Sequence, residues 1–440
     1  MLSEVSFETP YDIPALLNQI ASNGDNLQKG GEEARQACLT AARNLQFALE
    51  KPTESILRAR VAEPAHHAAL RTAVDLGIFQ KMAERGEKVT SATHLAALTE
   101  ADVVLLARLM KHLASMGTLY EGEIAGAYSL TPLSKALSQH KKFQEAIPLS
   151  FNVIGPSFAA LPEYLQKTSY KNPHEDLSKI RYSKDHEEYS GPFQYAHNTP
   201  KDFWKWIANR PERVCPFNNQ MNDRVTGLSS WDDTQLRPLE EKLGKEAGDK
   251  YVPVLVVDVG GGKGRDLKVF HEKFPTLPGQ LVLQDRASVL DDEEVKGLDD
   301  QIKVMEHDFF TPQPIKGDLP RPAIRGDIIQ GLTESIGARA YYLHSVLHDW
   351  SDEKCADIFA NLKPAMTKGY SKLLITEHVI PDHGANWIST TLDMIMMCCF
   401  AGGERTVKDW EKLLGDAGFK MMSIKSCEPG TESLIEAELI

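Results

Sequence analysis

A short apolar segment that leads directly into a group of glycines is the feature that most restricts the fold of this chain. Residues 254–264 have the sequence VLVVDVGGGKG, which predicts a buried strand that ends in a glycine-rich turn. Glycine adopts positive φ without strain and lets the backbone approach a ligand closely. The segment therefore predicts a ligand-binding turn between a strand and a helix of an α/β domain.

Six further strand-like segments follow this turn and indicate an open sheet. The first four, QLVLQD, KVMEHD, ARAYYLHSVL and KLLITEHVI, alternate with helical patterns, which is typical of parallel strands joined by helices. The last two, FKMMSIKSC and SLIEAEL, are separated only by EPGTE and predict a terminal antiparallel hairpin. This order fits the Rossmann-like sheet of methyltransferases better than the sheet of dehydrogenases.

Charge and composition exclude several classes of partner. The formal net charge is −13, which argues against nucleic acid, since phosphate binding requires clustered Lys and Arg. The six cysteines are scattered and predict neither a disulfide framework nor a metal site. The N-terminus lacks the pattern of a signal peptide, and no apolar run is long enough to span a membrane. We therefore expect a cytoplasmic protein without a membrane partner.

The glycine turn has the spacing DxGxGxG, formed by Asp258, Gly260, Gly262 and Gly264. The dinucleotide fingerprint GxGxxG would require a small residue where this chain has Arg265. A nucleoside cofactor without a pyrophosphate is therefore favoured. S-adenosylmethionine fits, because an acid at Asp258 suits its sulfonium and amino acid groups.

Acidic residues end the next two predicted strands. Asp285 follows LVLQ and is placed to accept hydrogen bonds from ribose hydroxyls. Asp308 follows VMEH and could accept the adenine amino group, with Phe309 packing on the ring. A glycine turn and two acids at three successive strand ends together predict an S-adenosylmethionine site.

Several motifs resemble those of the plant and fungal small-molecule O-methyltransferases. They are VVDVGGGKG, YYLHSVLHDWSDEKC, LLITEHVIP and GGERT, and the segments GPFQYAHNT and HDFFTPQP are most similar to the fungal type. The resemblance covers most of the chain. It implies a helical, winged-helix dimerisation domain at 1–135, a helical connecting and substrate-pocket region at 136–250, and a cofactor-binding catalytic domain at 251–440. It also implies a homodimer.

The resemblance implies that His348 is the general base. A phenol has a pKa of about 10 and an imidazole one of about 6.5, so removing the proton during methyl transfer avoids an unfavourable prior ionisation. Glu377 and Glu404 match the family positions that orient the imidazole, and Asp349 matches a position that contacts the substrate.

The resemblance also implies binding residues. Phe217 and Met221 match positions that line the substrate and cofactor pocket. Trp387, Met394 and Met397 match further pocket positions, although core packing explains these three nearly as well. The family often has Lys or Arg near the adenine four residues before the catalytic His, where this chain has His344.

Residues 317–336 form an insertion between HDFFTPQP and ARAYYL. The segment has no clear periodicity and predicts a long loop or lid. A retained intron is the second hypothesis, because deleting the segment joins PIK to GARAYY and restores the spacing of related sequences. Sequencing of transcripts distinguishes the two hypotheses.

The function that these patterns favour is transfer of a methyl group from S-adenosylmethionine to a hydroxyl of a small aromatic molecule, such as a phenolic polyketide. One alternative is a non-methylating relative that promotes dehydration or pericyclic chemistry, which the intact His348 and Asp349 disfavour. Another is a winged-helix regulator that binds DNA. The apolar character of the helix ADVVLLARLMKHLASMG argues against it.

Overall fold

The computed structural model describes residues 10–27, 31–86, 89–173, 182–184, 187–189, 191–208, 210, 254–316, 337–426 and 431–440. The chain forms two compact units, Met1–Ser138 and Gln139–Ile440. Phe217, Met221 and the insertion at 317–336 lie outside the described residues.

In the described part of the chain, no helix has both the length and the apolar composition needed to cross a bilayer.

The first unit consists of helices and a small antiparallel sheet. Its helices are α1 (Ile13–Leu27), α2 (Glu32–Leu49), α3 (Pro52–Leu57), a π-helical turn (Arg58–Ala62), α4 (Glu63–Asp75), α5 (Ile78–Ala83), α6 (Ala92–Thr99), α7 (Val103–Ser115) and α8 (Pro132–Gln139). The strands β1 (Thr90–Ser91), β2 (Leu119–Glu121) and β3 (Ala127–Leu130) pair in the order β1-β3-β2. Helices followed by a β2–β3 hairpin agree with the predicted arrangement.

Helix α7 shows why the sequence between Asp102 and Ser115 is helical. The Asp102 side chain accepts a hydrogen bond from Leu105 N at 2.8 Å and caps the first turn. Leu106, Met110 and Leu113 then recur every three or four residues and are fully buried on one face. This buried face accounts for part of the apolar composition that argued against a DNA-recognition helix, while Val103, Val104 and Leu105 of the same helix are exposed.

Helices open the second unit, ahead of its large sheet. They are α9 (Lys141–Leu149), a π-helical turn (Ser150–Ile154), α10 (Gly155–Lys167), α11 (Pro192–His197) and α12 (Phe203–Ile207), with a small hairpin of β4 (Tyr182–Lys184) and β5 (Glu187–Tyr189). Phe193 packs against Phe203 and Trp206 with ring centres 5.4 and 5.2 Å apart. The aromatic residues of this region thus form one core, which also includes Cys398 and Cys399 from later in the chain.

The large sheet has the predicted mixed topology. Its strands are β6 (Val254–Val259), β7 (Gln280–Asp285), β8 (Ile302–Glu306), β9 (Ala340–His344), β10 (Lys372–Ile380), β12 (Phe419–Ser426) and β13 (Glu432–Leu439), and the short β11 (Arg405–Thr406) pairs with β10. The order is β12-β13-β10-β9-β6-β7-β8, with β13 antiparallel to both β10 and β12. The predicted parallel sheet and terminal hairpin are confirmed.

The order of these strands also locates the ligand crevice. From β6 the chain adds β7 and β8 on one side and then returns to place β9 and β10 on the other. In open α/β sheets, ligands bind outside the carboxyl ends of the strands at such a reversal. The crevice is therefore expected at the ends of β6 and β9.

Helices cover both faces of the sheet. They are α13 (Arg265–Lys273), α14 (Ala287–Leu290), α15 (Glu293–Lys296), a 3-10 turn (Leu347–Asp349), α16 (Asp352–Leu362), a 3-10 turn (Lys363–Ala365), α17 (Trp387–Ile395), a π-helical turn (Met396–Phe400) and α18 (Val407–Asp416). Each face of the sheet carries its own hydrophobic core, and alternate side chains of β9 point into one core or the other. Tyr341 packs with residues of α16 and α18, whereas Tyr342 packs with residues of α13. Burial on both faces explains the continuous apolar strands.

The hydroxyl of Tyr341 lies inside the first of these cores, 2.7 Å from the Ile315 carbonyl and 2.9 Å from the Ala365 carbonyl. We expect Tyr341→Phe to lower the free energy of unfolding by about 1–3 kcal/mol, because the one hydroxyl hydrogen donates to one of these carbonyls and its loss leaves that acceptor without this donor. Tyr170→Phe, at an exposed ring, is the control and should be neutral. Urea unfolding midpoints measure both, and equal midpoints for the two variants would contradict this account.

Candidate functional site

The glycine turn lies at the carboxyl end of β6 and is held by the next strand. Gly260 N and Gly261 N donate to the Gln284 carbonyl at 2.8 and 3.1 Å, and Gly262 N donates to Asp285 Oδ2 at 2.9 Å. These bonds fix the turn beside the end of β7. The predicted loop and the predicted ribose acid are therefore in direct contact.

Two glycines of this turn are required by the packing around it. Gly260 has φ +76°, and a Cβ there would lie 3.0 Å from Val346 and 3.5 Å from the Phe309 ring. Gly264 has φ +77°, and a Cβ there would lie 2.9 Å from the side chains of Leu283 and Leu298. Any side chain would strain the backbone and displace these neighbours. The turn is thus shaped for close approach of the backbone.

The acids predicted around the cofactor occupy different environments. Asp258 is buried beneath the turn, with its carboxyl group directly under Gly261. Asp285 is half-buried and accepts hydrogen bonds from Gly262 N and Arg286 N, while burial raises the pKa of its carboxyl group. Asp308 is exposed just after β8 and caps a turn by accepting from Phe310 N at 3.0 Å. The turn, Asp285 and Asp308 thus follow three neighbouring strands.

His344, at the end of β9, is buried in a polar cluster. Its Nδ1 contacts Asp266 and lies 2.9 Å from the Tyr342 hydroxyl, and its Nε2 lies 3.1 Å from Glu432 Oε1. Both ring nitrogens therefore bond within the protein, to α13 and to β13. The sequence contained no sign of Asp266 and Glu432 as partners, since both are far from His344 along the chain.

A second cluster lies in the 3-10 turn after β9. His348 Nδ1 is 2.8 Å from Glu404 Oε1 and 3.4 Å from Glu377 Oε2, and His348 Nε2 is 3.7 Å from Asp349 Oδ1. Each of the four side chains is at most 10% exposed. Nδ1 is thus engaged by the carboxylates of Glu404 and Glu377, whereas Nε2 lies beside the carboxylate of Asp349.

Glu377, on β10, fixes the backbone of this turn. Its Oε1 accepts hydrogen bonds from Val346 N, Leu347 N and His348 N at 3.1, 2.8 and 3.3 Å. Three amide groups at the start of a helical turn would otherwise be buried without partners. One carboxylate therefore both shapes the turn and faces the imidazole.

Gly402 and Gly403 bring Glu404 against the same turn, and the sequence analysis did not single them out. Gly403 N donates to the His348 carbonyl at 3.0 Å. A Cβ on Gly402 would lie only 2.1 Å from that carbonyl oxygen. Asp393 Oδ1 accepts from Glu404 N at 2.9 Å. The two glycines of GGERT thus allow the backbone to approach the His348 carbonyl closely. In the sequence, the only sign of this role was that two glycines stand next to each other.

Arg405 is a further residue that the sequence analysis missed. Its guanidinium is buried and donates to the carbonyls of Leu347 and Trp350 at 3.0 and 2.9 Å and to Asp352 at 3.0 Å. The carbonyl side of the His348 turn is therefore held as firmly as its amide side.

Burial and charge determine the protonation of this cluster. Burial lowers the pKa of His348, but the charges of Glu377, Glu404 and Asp349 outweigh that effect and raise it well above 6.5. Burial raises the pKa of Asp349 to about 7 against the opposing charge of His348. Burial also raises the pKa of Glu404 to about 7. His348, Asp349 and Glu404 therefore share protons near neutral pH.

His348, Glu377 and Glu404 also have side chains of the kinds that bind metals. One candidate ligand atom from each lies within 4.8 Å of the other two. The 2.8 Å contact between His348 Nδ1 and Glu404 is a hydrogen bond, and the raised pKa of His348 favours a proton on that nitrogen. Because a metal requires an unprotonated ligand, this geometry fits a paired imidazole better than a metal site.

The three predicted pocket residues on or beside α17 are placed differently. Trp387 and Met394 are exposed, and Met394 lines an open cavity of about 470 Å³ with Phe158, Leu161, Pro162, Thr390 and Thr391. Met397 packs against the aromatic core of α11 and α12. The core-packing alternative therefore describes Met397, while Met394 faces open space.

Two family models match this chain. Residues 65–140 match the O-methyltransferase dimerisation domain, and residues 323–420 match the O-methyltransferase domain. The two matches agree with the helical first unit and with the sheet that carries His348, Glu377 and Glu404.

Similar proteins span almost the whole chain. O-methyltransferase mpaG of Penicillium brevicompactum is 34% identical over 428 residues, which are 97% of this chain and 98% of the relative. The structure of LepI in complex with S-adenosylmethionine aligns with a TM-score of 0.79 at 26% identity, covering 97% and 99% of the two chains. A structure described as a pericyclic reaction enzyme aligns with the same TM-score, identity and coverage.

These likenesses favour methyl transfer over the alternatives, because they combine both family models with a full-length relative named as an O-methyltransferase. The chain therefore belongs to the S-adenosylmethionine-dependent O-methyltransferases of fungal secondary metabolism.

Proposed function

We propose that this enzyme methylates a hydroxyl of a small aromatic acceptor and that His348 Nε2 takes the hydroxyl proton. The observation that carries the proposal is the 2.8 Å contact of His348 Nδ1 with Glu404, which leaves Nε2 as the basic nitrogen. The Glu404 carboxylate fixes this tautomer and stabilises the imidazolium that forms. Glu377 holds the turn, and Asp349, beside Nε2, contacts the acceptor oxygen.

The cofactor site is proposed at the ends of β6, β7 and β8. S-adenosylmethionine supplies the electrophilic methyl group when it is bound. Gly260, Gly262 and Gly264 all have positive φ, and a Cβ at Gly260 or Gly264 would meet neighbouring side chains, so the turn keeps the bare backbone that such a ligand requires. Each oxygen of Asp285 accepts a hydrogen bond from one backbone N–H, and these two bonds orient the carboxylate. The remaining lone pairs can accept hydrogen bonds from the ribose hydroxyls.

The remaining contacts of the cofactor are proposed in the same way. Asp308 is exposed and accepts the adenine amino group, and Phe309 packs on the ring from its position beside Gly260. Asp258, beneath the turn, balances the positive charge of the amino acid end. His344 supports the site through Asp266 on the first turn of α13.

The acceptor is proposed to bind against the helical region at 136–250, with Phe217, Met221, Trp387, Met394 and Met397 as predicted pocket residues. The cavity beside Met394 supports this assignment. We propose further that the enzyme is a homodimer, supported by the dimerisation-domain match, and that it acts in the cytoplasm.

A second candidate function is rearrangement or dehydration without methyl transfer. The structural likeness to a pericyclic reaction enzyme favours it. The intact pair of His348 and Asp349, held by Glu377 and Glu404, favours methyl transfer, because a positioned base is what that reaction requires.

His348→Ala should lower kcat by about 10²–10⁴-fold, the usual contribution of a general base, and leave S-adenosylhomocysteine binding intact. Mass spectrometry of a phenol panel measures the gain of one methylene, and calorimetry measures binding. His383→Ala, at an exposed loop position, is the control and should be as active as the wild type. A fully active His348→Ala enzyme would refute the assignment of the base, and conversion of an acceptor without a mass gain would support the second candidate.

The pH dependence of kcat/KM tests the electrostatics of the pair. Carboxylates stabilise the imidazolium and hold the pKa of His348 well above 6.5, so activity should rise with pH through an apparent pKa above that value. Glu404→Gln retains an oxygen that accepts the Nδ1 hydrogen bond but removes its charge. The pKa of His348 should fall, and the acid limb of the profile should move to lower pH. An unchanged limb would show that Glu404 does not control the base.

Gly402→Ala should impair catalysis through position alone. A Cβ 2.1 Å from the His348 carbonyl forces a shift of roughly 1 Å, and misplacement of that size can cost on the order of 10²-fold in rate. Gly415→Ala is the matched control, because a Cβ there meets nothing within 4 Å and a helical alanine is favourable. Steady-state kcat and urea midpoints are measured for both variants. Equal kcat values would contradict a role for Gly402 in placing the base.

A further inference from the structure

Arg286 stands between the cofactor side and the helical side of the second unit. It directly follows Asp285 at the end of β7, and its backbone N donates to Asp285 Oδ1 at 2.7 Å. Its side chain is exposed, and its guanidinium carbon lies 5.3 Å from the ring centre of Trp204 on α12. A residue of the cofactor edge thus contacts the aromatic helices.

The guanidinium of Arg286 has donors that the described residues do not use. Among the described residues it makes no hydrogen bond or ion pair, and it lies over the ring of Trp204. Arg405, by contrast, has partners for its guanidinium at Leu347, Trp350 and Asp352. An arginine is always charged and carries five donors in a planar fork. Arg286 is therefore free to bind an anion.

Two observations relate Arg286 to the cluster around His348. Its positive charge acts on Asp349 and opposes the rise that burial gives to the pKa of that carboxyl group. Trp204 also packs on Phe400, with ring centres 5.5 Å apart, and Phe400 closely precedes the Gly402 segment that places Glu404. Arg286 therefore lies over an aromatic wall that continues to the base.

We propose that Arg286 binds a carboxylate of the acceptor and that the acceptors of this enzyme are hydroxylated aromatic acids whose ring lies along Trp204 and Phe400. A guanidinium matches a carboxylate with two parallel hydrogen bonds. Asp349, Glu377 and Glu404 surround the base, so an acidic acceptor needs a cation that holds its carboxylate away from them. The inference rests on the proposed function in that the aromatic acceptor is taken from it.

The test compares 6-hydroxy-2-naphthoate with its neutral amide, 6-hydroxy-2-naphthamide. Calorimetry measures binding of each to the full-length enzyme saturated with S-adenosylhomocysteine, and mass spectrometry measures methylation with S-adenosylmethionine. The wild type should bind the acid about tenfold or more tightly than the amide, as expected for a charge-assisted pair. Arg286→Met should abolish this preference, and Arg286→Lys should keep part of it. Arg210→Met is the matched control, because Arg210 stacks on Trp206 of the same helix at 3.9 Å.

Each outcome of this test has a defined meaning. A wild type that binds acid and amide equally, or neither, overturns the proposal. So does an Arg286→Met enzyme that keeps the preference, or one that only loses affinity for S-adenosylhomocysteine, which would assign Arg286 to the cofactor. If the preference for the acid depends on Arg286 but no acceptor is methylated, the proposed function fails while the anion site stands.

Discussion

The active geometry of this enzyme depends on one buried carboxylate. Glu377 is fully buried and accepts three consecutive backbone amides of the His348 turn through a single oxygen. A buried charge without such partners would cost several kcal/mol, so the turn and the carboxylate require each other. Arg405 satisfies the carbonyl side of the same turn. The orientation of the imidazole is therefore set by Glu377 on β10 and Arg405 on β11.

The carboxylates around His348 repel one another and at the same time stabilise a positive charge on the imidazole. Three acids around one imidazole favour the imidazolium, which is the state that His348 would reach on taking the acceptor proton in the proposed reaction. The raised pKa values of Asp349 and Glu404, both about 7, show how the site limits its negative charge by retaining protons. A strong base and a stable cluster thus come from one arrangement.

The parts of this structure that follow a local period could be predicted from the sequence. The alternation of strand and helix patterns predicted the sheet and its terminal hairpin. The positions of Asp285 and Asp308 directly after strand patterns predicted that both lie at the carboxyl ends of neighbouring strands. The pairing of His348 with Glu404 came from resemblance, since 56 positions separate them. The contacts of Arg405 and those of His344 with Asp266 and Glu432 could not be predicted, because a contact between distant segments has no periodic signal.

Arg286 shows why adjacent residues can serve different parts of a site. Asp285 faces the glycine turn through Gly262, whereas Arg286 reaches Trp204, although a single peptide joins them. The amide of Arg286 donates to the carboxylate of Asp285, so the conformation that orients one also orients the other. If Asp285 holds the cofactor and Arg286 the acceptor, binding at either site favours the shared conformation. Thermodynamic linkage then requires each ligand to increase the affinity for the other.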